Sequence, residues 1–530
     1  MNLLSSQWIP AIRRDGSQCK IAPWQIAETD NPVVELCAPR ADFQGALYQF
    51  LIGLLQTCVA PEDIVEWEER YVEPMSSRYL QEAFGAWKDA FALDAEVGSP
   101  AFLQDLTLED GEEKGIAGLL IDAPGGKTLK DNLDFFIKGG LVNALCPSCT
   151  ALALFTLQTN APSGGVGHRV GLRGGGPLTT LLRPVGDSSL WQKLWLNVLD
   201  QEQGLKTSAE SMDASILPWL ALTRLSDKSG KATLPDDTHP LQMYWGMPRR
   251  IRLCPASQSG ECDLCGEQDL PLYSRYRTRN YGVNYEGPWL HPLTPYRFDL
   301  KKENEPLSLK GQKGGLGYRH WLGFMFHDDG NGDRASIIVQ DFFNNKSREL
   351  DSEKQLSLWC FGYDMDNMKA RCWYEHILPV FHLEPEQIVN VQAWIQTLLT
   401  SAKDSAPLLR KYVKEGWYRR PEDATGDVGF IDTEFWQATE NDFYRLLGQM
   451  AALPVGADRV PPEIYGDWRS VLYKSVLELF DHFTLQTSVE ELDLKRIVNA
   501  RDALVKKFNS MKSIKHLREK GQVAKEVANG

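Results

Sequence analysis

No stretch of the 530 residues approaches the ~18 consecutive apolar residues of a membrane span, so no membrane-crossing helix is expected. The opening MNLLSSQWIP lacks the basic start and apolar core of a secretion signal, and a soluble, cytoplasmic protein is expected. Positive charge is in deficit: 57 Lys and Arg face 71 Asp and Glu, a formal net charge of −14. Such a chain does not coat nucleic acid by bulk attraction, which leaves room only for local basic surfaces. Internal repeats and long low-complexity segments are missing too. Three enzyme signatures fall short. Gly125-Gly126-Lys127-Thr128 looks like a phosphate-binding loop, but the required first glycine falls at Ile121. His327-Asp328 has no second His-Asp set beside it to build a metal-dependent hydrolase. Asp329, Asn331 and Asp333 begin like a calcium loop, but Arg334 replaces its glycine and Gln340 its closing glutamate.

The remainder is ordinary globular material, 43% hydrophobic and 24% charged, long enough for two to four domains. The stretch WIPAIRRDGSQCKIAPW reads as a hairpin about Asp15-Gly16. Phe43, Leu47, Phe50, Leu51, Leu54 and Leu55 share one helical face, which predicts a helix over residues 42–59. Glycine and proline interrupt regular structure over 124–186. The runs GYRHWLGFMF and RASIIVQDFF, joined by HDDGNGD, read as a strand pair. After His382 the period becomes helical, in four stretches that begin at Glu384-Pro385, Asp432-Thr433, Pro461-Pro462 and near Leu494. The expected fold is α+β: a large mixed N-terminal domain over 1–382 with a zinc-stapled region, then a C-terminal four-helix bundle over 383–530.

Of the ten cysteines, Cys19, Cys37, Cys58, Cys360 and Cys372 stand singly and read as small buried hydrophobes. Two Cys-x-x-Cys pairs, Cys146/Cys149 and Cys262/Cys265, fit a closed four-thiolate structural zinc site. Cys254 is a spare ligand, and buried free thiols are the alternative. The segment 161–177 carries Gly164, Gly165, Gly167, Gly171, Gly174, Gly175 and Gly176, with no acidic residue from 161 to 186. Glycine at this density lets backbone approach a ligand closely, and His168, Arg169, Arg173 and Arg183 would suit a phosphate-bearing polymer. A flexible surface loop is the other reading. Arg275-Tyr276-Arg277-Thr278-Arg279-Asn280-Tyr281 alternates as a strand with its arginines on one face, which suits phosphate or groove contact as well as simple solvation.

At these residues the sequence resembles the CasA family, the large subunits of type I-E CRISPR Cascade complexes. The resemblance is carried by MNLL with Trp8-Ile9-Pro10, LCPSCTALALF (145–155), APSGGVGHRVGLRGGGPLTT (161–180), ECDLCG, GPWLHPLTP (287–295) and FGYDMDNMKA (361–370). It implies a subunit without catalysis, seated in a crRNA-guided surveillance complex. Such a subunit reads the protospacer-adjacent motif (PAM) of double-stranded DNA from the minor groove, helps to open the duplex and supports recruitment of a helicase–nuclease. Base pairing to the guide then reads the rest of the target.

Carried onto this chain, the resemblance makes Ser163, Gly164, Gly165, Val166 and Gly167 the PAM loop, with Arg169 beside it. Val166 stands where the family often has another glycine. Arg279 becomes the groove cation, with Asn280 an alternative reader where the family carries lysine. Asn367 and Met368 form the wedge at the first opened base pair. Phe135, Phe136, Ile137 and Lys138 contact the guide-bearing subunits, and the C-terminal bundle meets the small subunit. Two rival functions remain in the sequence: a zinc-containing hydrolase or nuclease using His327 and Asp328, and a pure scaffold.

Overall fold

The computed structural model describes every residue except 133–138, 203, 206, 208, 210, 228–230, 257, 348–354, 367–368, 424–425, 487–491 and 528–530, and it leaves out the side chains of 126–127, 423 and 523–527. The chain divides into two compact units. One takes Met1–Gly311 and Asn331–Glu375; the other takes Gln312–Gly330 and His376–Gly530.

The first unit mixes sheet and helix. Its hairpin pairs β1 (Ile9–Arg13) with β2 (Gln18–Ile21) antiparallel, and Gly16 supplies the positive φ of +83° that the turn requires. A third strand, β3 (Val33–Leu36), adds to the other edge of β1. The helix α1 (Ala41–Cys58) covers the stretch expected from its apolar period, but it is buried on almost every face. Such a helix belongs at the centre of a core. Phe50 sits there, edge-on to Trp8, Phe91, Phe102, Phe155 and Trp245 at centroid distances of 5.6–6.3 Å.

Downstream come β4 (Glu112–Gly115), α2 (Pro147–Asn160), β5 (Thr179–Pro184), β6 (Arg250–Leu253), β7 (Arg275–Arg279), β8 (Leu356–Asp366) and β9 (Lys369–Val380), the last of which runs on past Glu375 into the second unit. The strand β7 lies between β4 and β6, and β8 lies between β9 and β5. Because Phe155 is a residue of α2, the aromatic cluster around Phe50 anchors the middle of that helix.

The strand pair expected over 317–326 and 334–343 is not formed. Tyr318–His320 and Trp321–Met325 are helical, as is Ile337–Asp341, and only His327–Asp328 and Asp333–Arg334 are strand. The reason lies in the period: Tyr318, Trp321, Leu322 and Met325 recur at i, i+3, i+4 and i+7, and all four are buried. A short run that is apolar at nearly every position does not announce its period.

The second unit is helical. Its helices are α3 (Pro385–Trp417), α4 (Phe430–Ala451), α5 (Pro462–Asp481), α6 (Leu494–Ser510) and α7 (Lys512–Val527). The four helices read from the sequence are present, and α7 follows α6 after the single residue Met511. Pro385 and Pro462 open α3 and α5 at their first turns, where a missing N–H costs nothing. The apolar faces meet on Leu398, Phe443, Leu447, Trp468, Leu472 and Leu504. Tyr318 joins them, stacked on Phe443 at 4.4 Å and hydrogen-bonded to the Thr439 hydroxyl at 2.8 Å.

Truncating Phe50 to Ala should lower the stability of the first unit by about 3–5 kcal/mol through the cavity it leaves, whereas Phe50→Leu should cost clearly less. Urea unfolding followed by tryptophan fluorescence measures both, and equal losses would contradict the central position of the ring.

Candidate metal centre and nucleic-acid interface

The four paired cysteines come together. The Sγ atoms of Cys146, Cys149, Cys262 and Cys265 all lie within 4.8 Å of one another, three of the residues buried and Cys265 exposed. The Cys146–Cys265 separation is 3.7 Å. Four sulfurs held tetrahedrally at ~2.3 Å from one ion stand roughly 3.8 Å apart, so the cluster has the size of a metal site.

Local folding explains how it forms. Cys146 caps the N-terminus of α2, its sulfur accepting from the Cys149 N–H at 3.4 Å, and the Cys262 sulfur accepts from the Cys146 N–H at 3.3 Å. Gly266, at φ +72°, closes the second knuckle with its N–H on the Cys262 carbonyl at 2.9 Å. Asp263 receives the N–H groups of Asn143 and Ala144 at 2.6 and 2.9 Å, so each knuckle also holds the other's backbone.

Thiols this close do not ionise together. Hydrogen bonds from Cys146 and Cys149 hold the Cys262 thiol far below its ordinary value, while Cys149 is pushed far above by its hydrogen bonds to Cys146 and Cys262 and by burial. A cation with four thiolate ligands removes that conflict, and this donor set selects zinc or iron.

The glycine loop and the arginine strand also meet. The loop leaves the C-terminal end of α2 and turns at Gly165–Gly167, with φ of +79° at Gly165 and +78° at Gly167. The Tyr281 N–H donates to the Gly167 carbonyl at 2.7 Å, and the Asn280 amide donates to the Val166 carbonyl at 2.8 Å. A Cβ on Gly167 would stand 2.8 Å from the Asn280 Cβ, so this glycine is required by packing against the end of β7. Gly164 faces Arg249, whose guanidinium donates to the Pro162 carbonyl. Ser163, Gly165 and Val166 are exposed, Val166 at 76%.

On β7, Tyr276 and Thr278 point inward, Arg277 is half-buried, and Arg275 and Arg279 point out. Arg275 is paired with Glu113 at 2.5 Å. Arg279 has no ion pair among the described residues, and it stands next to the residue that braces the loop.

The other candidates land elsewhere. Arg169 spends its guanidinium on Ser226, at 2.7 Å to the hydroxyl and 2.8 Å to the carbonyl. Arg173 is buried on Thr179, Thr294 and Gln49, and Arg183 pairs with Glu35 over the Trp359 ring. Neither of these two presents a cation to a polymer, a correction to the expectation from their place beside the glycines. His168 is held below the usual imidazole range by burial and by Arg249. Cys254 lies outside the sulfur cluster. Asp328 is buried and paired with Lys403 at 2.8 Å, while His327 is exposed. Phe135, Phe136, Ile137, Lys138, Asn367 and Met368 lie outside the described residues.

Compared with known proteins, the sequence matches the family described as CRISPR-associated protein Cse1 over residues 2–479. The chain belongs to the Cse1 family. Solved structures share the fold at low identity. CasA of Thermus thermophilus superposes with a TM-score of 0.67 at 16% identity, covering 96% of this chain and 100% of that one. Cse1 of Acidimicrobium ferrooxidans gives 0.67 at 16%, covering 98% of both chains. A chain of a structure titled CRISPR RNA-guided surveillance complex gives 0.68 at 15%, covering 96% of this chain and 99% of that one.

In this Cse1 chain, sequence reasoning missed Arg249 and Ser226, and it took Tyr281 as part of the strand, which ends at Arg279. Arg249 is fixed by a two-way exchange with the Gln158 amide at 2.9 Å, and burial lowers it to about 10, so it stays cationic at neutral pH. Tyr281 holds a positive φ of +64°, unusual for an aromatic residue, which turns its N–H onto the loop. Gly282 just beyond β7 is the one local sign of a turn there, and nothing beside it names a partner.

The purified chain should carry one zinc or iron per molecule by elemental analysis. Cys262→Ser should lose it and Cys254→Ser should keep it; equal metal content in the two variants would remove the four-cysteine assignment.

Proposed function

We propose that this chain is the large, non-catalytic subunit of a crRNA-guided surveillance complex and that it reads the PAM of double-stranded DNA through the minor groove. The observation that carries the reading is the junction of loop and strand. An exposed tip, Gly165–Val166, is braced from below by Asn280 and Tyr281, with the exposed Arg279 beside it. A narrow groove admits backbone with few side-chain atoms, and its negative potential favours an arginine. The Asn280 amide is already committed to the Val166 carbonyl, which favours Arg279 as the groove cation and Asn280 as its brace. Arg169 likewise braces the loop from Ser226.

Zinc in the four-cysteine cluster fixes the two halves of the reader against each other and takes no part in chemistry. Asn367 and Met368, between β8 and β9, act as the wedge at the first opened pair. Phe135, Phe136 and Lys138 meet the crRNA-bearing subunits, the helical unit docks the small subunit, and the assembled complex recruits a helicase–nuclease once the guide has paired.

Within the assembled complex, Arg279→Ala should weaken binding to PAM-containing duplex about ten-fold or more while sparing a pre-opened target. Equal loss on both substrates, measured by gel shift at fixed salt, would sink the assignment. Replacing Asn367 and Met368 with Ala should leave first binding intact and reduce strand opening. Unchanged permanganate reactivity of the target thymines would count against the wedge.

A further inference from the structure

Beneath the glycine segment lies a cavity of about 20 Å³, lined by Gln49, Gln158, Leu172, Arg173, Tyr244 and His291 among others. One water-sized sphere needs about 10–15 Å³, so the space holds one small species. Its polar lining is rich in donors. Arg173 is 6% exposed, and its guanidinium reaches only neutral oxygens among the described residues: Thr294 at 2.8 Å, Thr179 at 3.2 Å and Gln49 at 2.5 Å. The Tyr244 hydroxyl is buried and has no hydrogen-bond partner among the described residues. The Nδ1 of His291 accepts from the Leu293 N–H at 3.1 Å, which places the proton of the neutral ring on Nε2. The two lining amide oxygens are committed: that of Gln49 to Arg173 and Thr179, that of Gln158 to the Arg249 N–H.

We propose that this cavity binds a small monovalent anion of the halide class between Arg173, Tyr244 and His291. A buried cation without a counter-charge is among the most costly arrangements a core can hold. Burial lowers Arg173 to about 10 and pushes His291 well below its ordinary value, so at neutral pH the cavity carries one positive charge and two neutral donors. An anion accepts from all three groups, whereas a water accepts from at most two. The anion balances the charge on the guanidinium through which Arg173 holds its segment to Gln49 of α1.

Bromide is the probe. Crystals of the full chain soaked in sodium bromide should show an anomalous peak within hydrogen-bonding distance of Arg173, Tyr244 and His291. In solution, the thermal midpoint should rise and saturate with bromide at an ionic strength held constant with gluconate. Tyr244→Phe should raise the half-saturating bromide concentration about ten-fold, the loss of one hydrogen bond to a charged group. Density that refines as water with no anomalous signal, or a midpoint indifferent to the choice of anion, would overturn the proposal.

Discussion

The first unit depends on bringing the segments around Cys146 and Cys262, 116 residues apart, into one register. Closing a loop of that length costs chain entropy that no local turn can offset. Several bonds share the task. Leu145 and Tyr273 exchange both backbone hydrogen bonds at 2.9 Å, Asp263 receives two N–H groups from the opposite knuckle, and the sulfurs converge. Everything downstream inherits this register. The helix α2 is capped by Cys146 and ends at the glycine loop, and the strand β7 begins ten residues after Cys265 and ends at Arg279, next to Asn280. The loop and the strand end meet because the other ends of their elements are stapled together.

That arrangement also shows how an acidic chain can present a cation. Most arginines near the site are already engaged: Arg250 with Asp105 at 2.6 Å, Arg275 with Glu113, Arg183 with Glu35, Arg173 in the interior and Arg249 on the Pro162 carbonyl. Each serves the scaffold. Arg279 is left exposed at the edge of a braced loop, and the acidic balance of the chain limits non-specific adhesion to nucleic acid. On the proposed reading, an exposed cation on a rigid mount contributes little bulk affinity but favours one groove geometry over another.

Much of this was legible in the residues. The Cys-x-x-Cys spacing marked the four-cysteine cluster because tetrahedral thiolate sites are built from such pairs, and the alternation of Arg275 to Arg279 marked a strand because its period is two. Asp15-Gly16, Glu384-Pro385 and Pro461-Pro462 announced a turn and two helix starts through backbone chemistry that acts locally. What stayed hidden is settled by partners distant in sequence. Nothing beside Arg173 says that Gln49 and Thr294 will receive it, and nothing beside Arg169 points to Ser226. The helices over 318–325 were concealed by an apolar run dense enough to suit either period. The break between α6 and α7 falls at Met511 without glycine or proline to signal it.

The glycines of the loop divide by cause, and the division bears on what the loop can vary. Gly164 and Gly167 are packing glycines: a side chain at either would collide with His168 and Arg249, or with Asn280 and Tyr281. Gly165 needs its positive φ but faces open space, and Val166 projects into it. The base of the loop is therefore constrained by the fold, while the tip is constrained only by what it touches. If the tip enters a minor groove, a valine there replaces bare backbone with two methyl groups that make no hydrogen bond to a base edge. Discrimination then passes to groove width and to Arg279, both of which report A·T against G·C content more readily than exact sequence. On the proposed reading, a fixed base beneath a free tip lets the motif that is read change while the register that holds the reader does not.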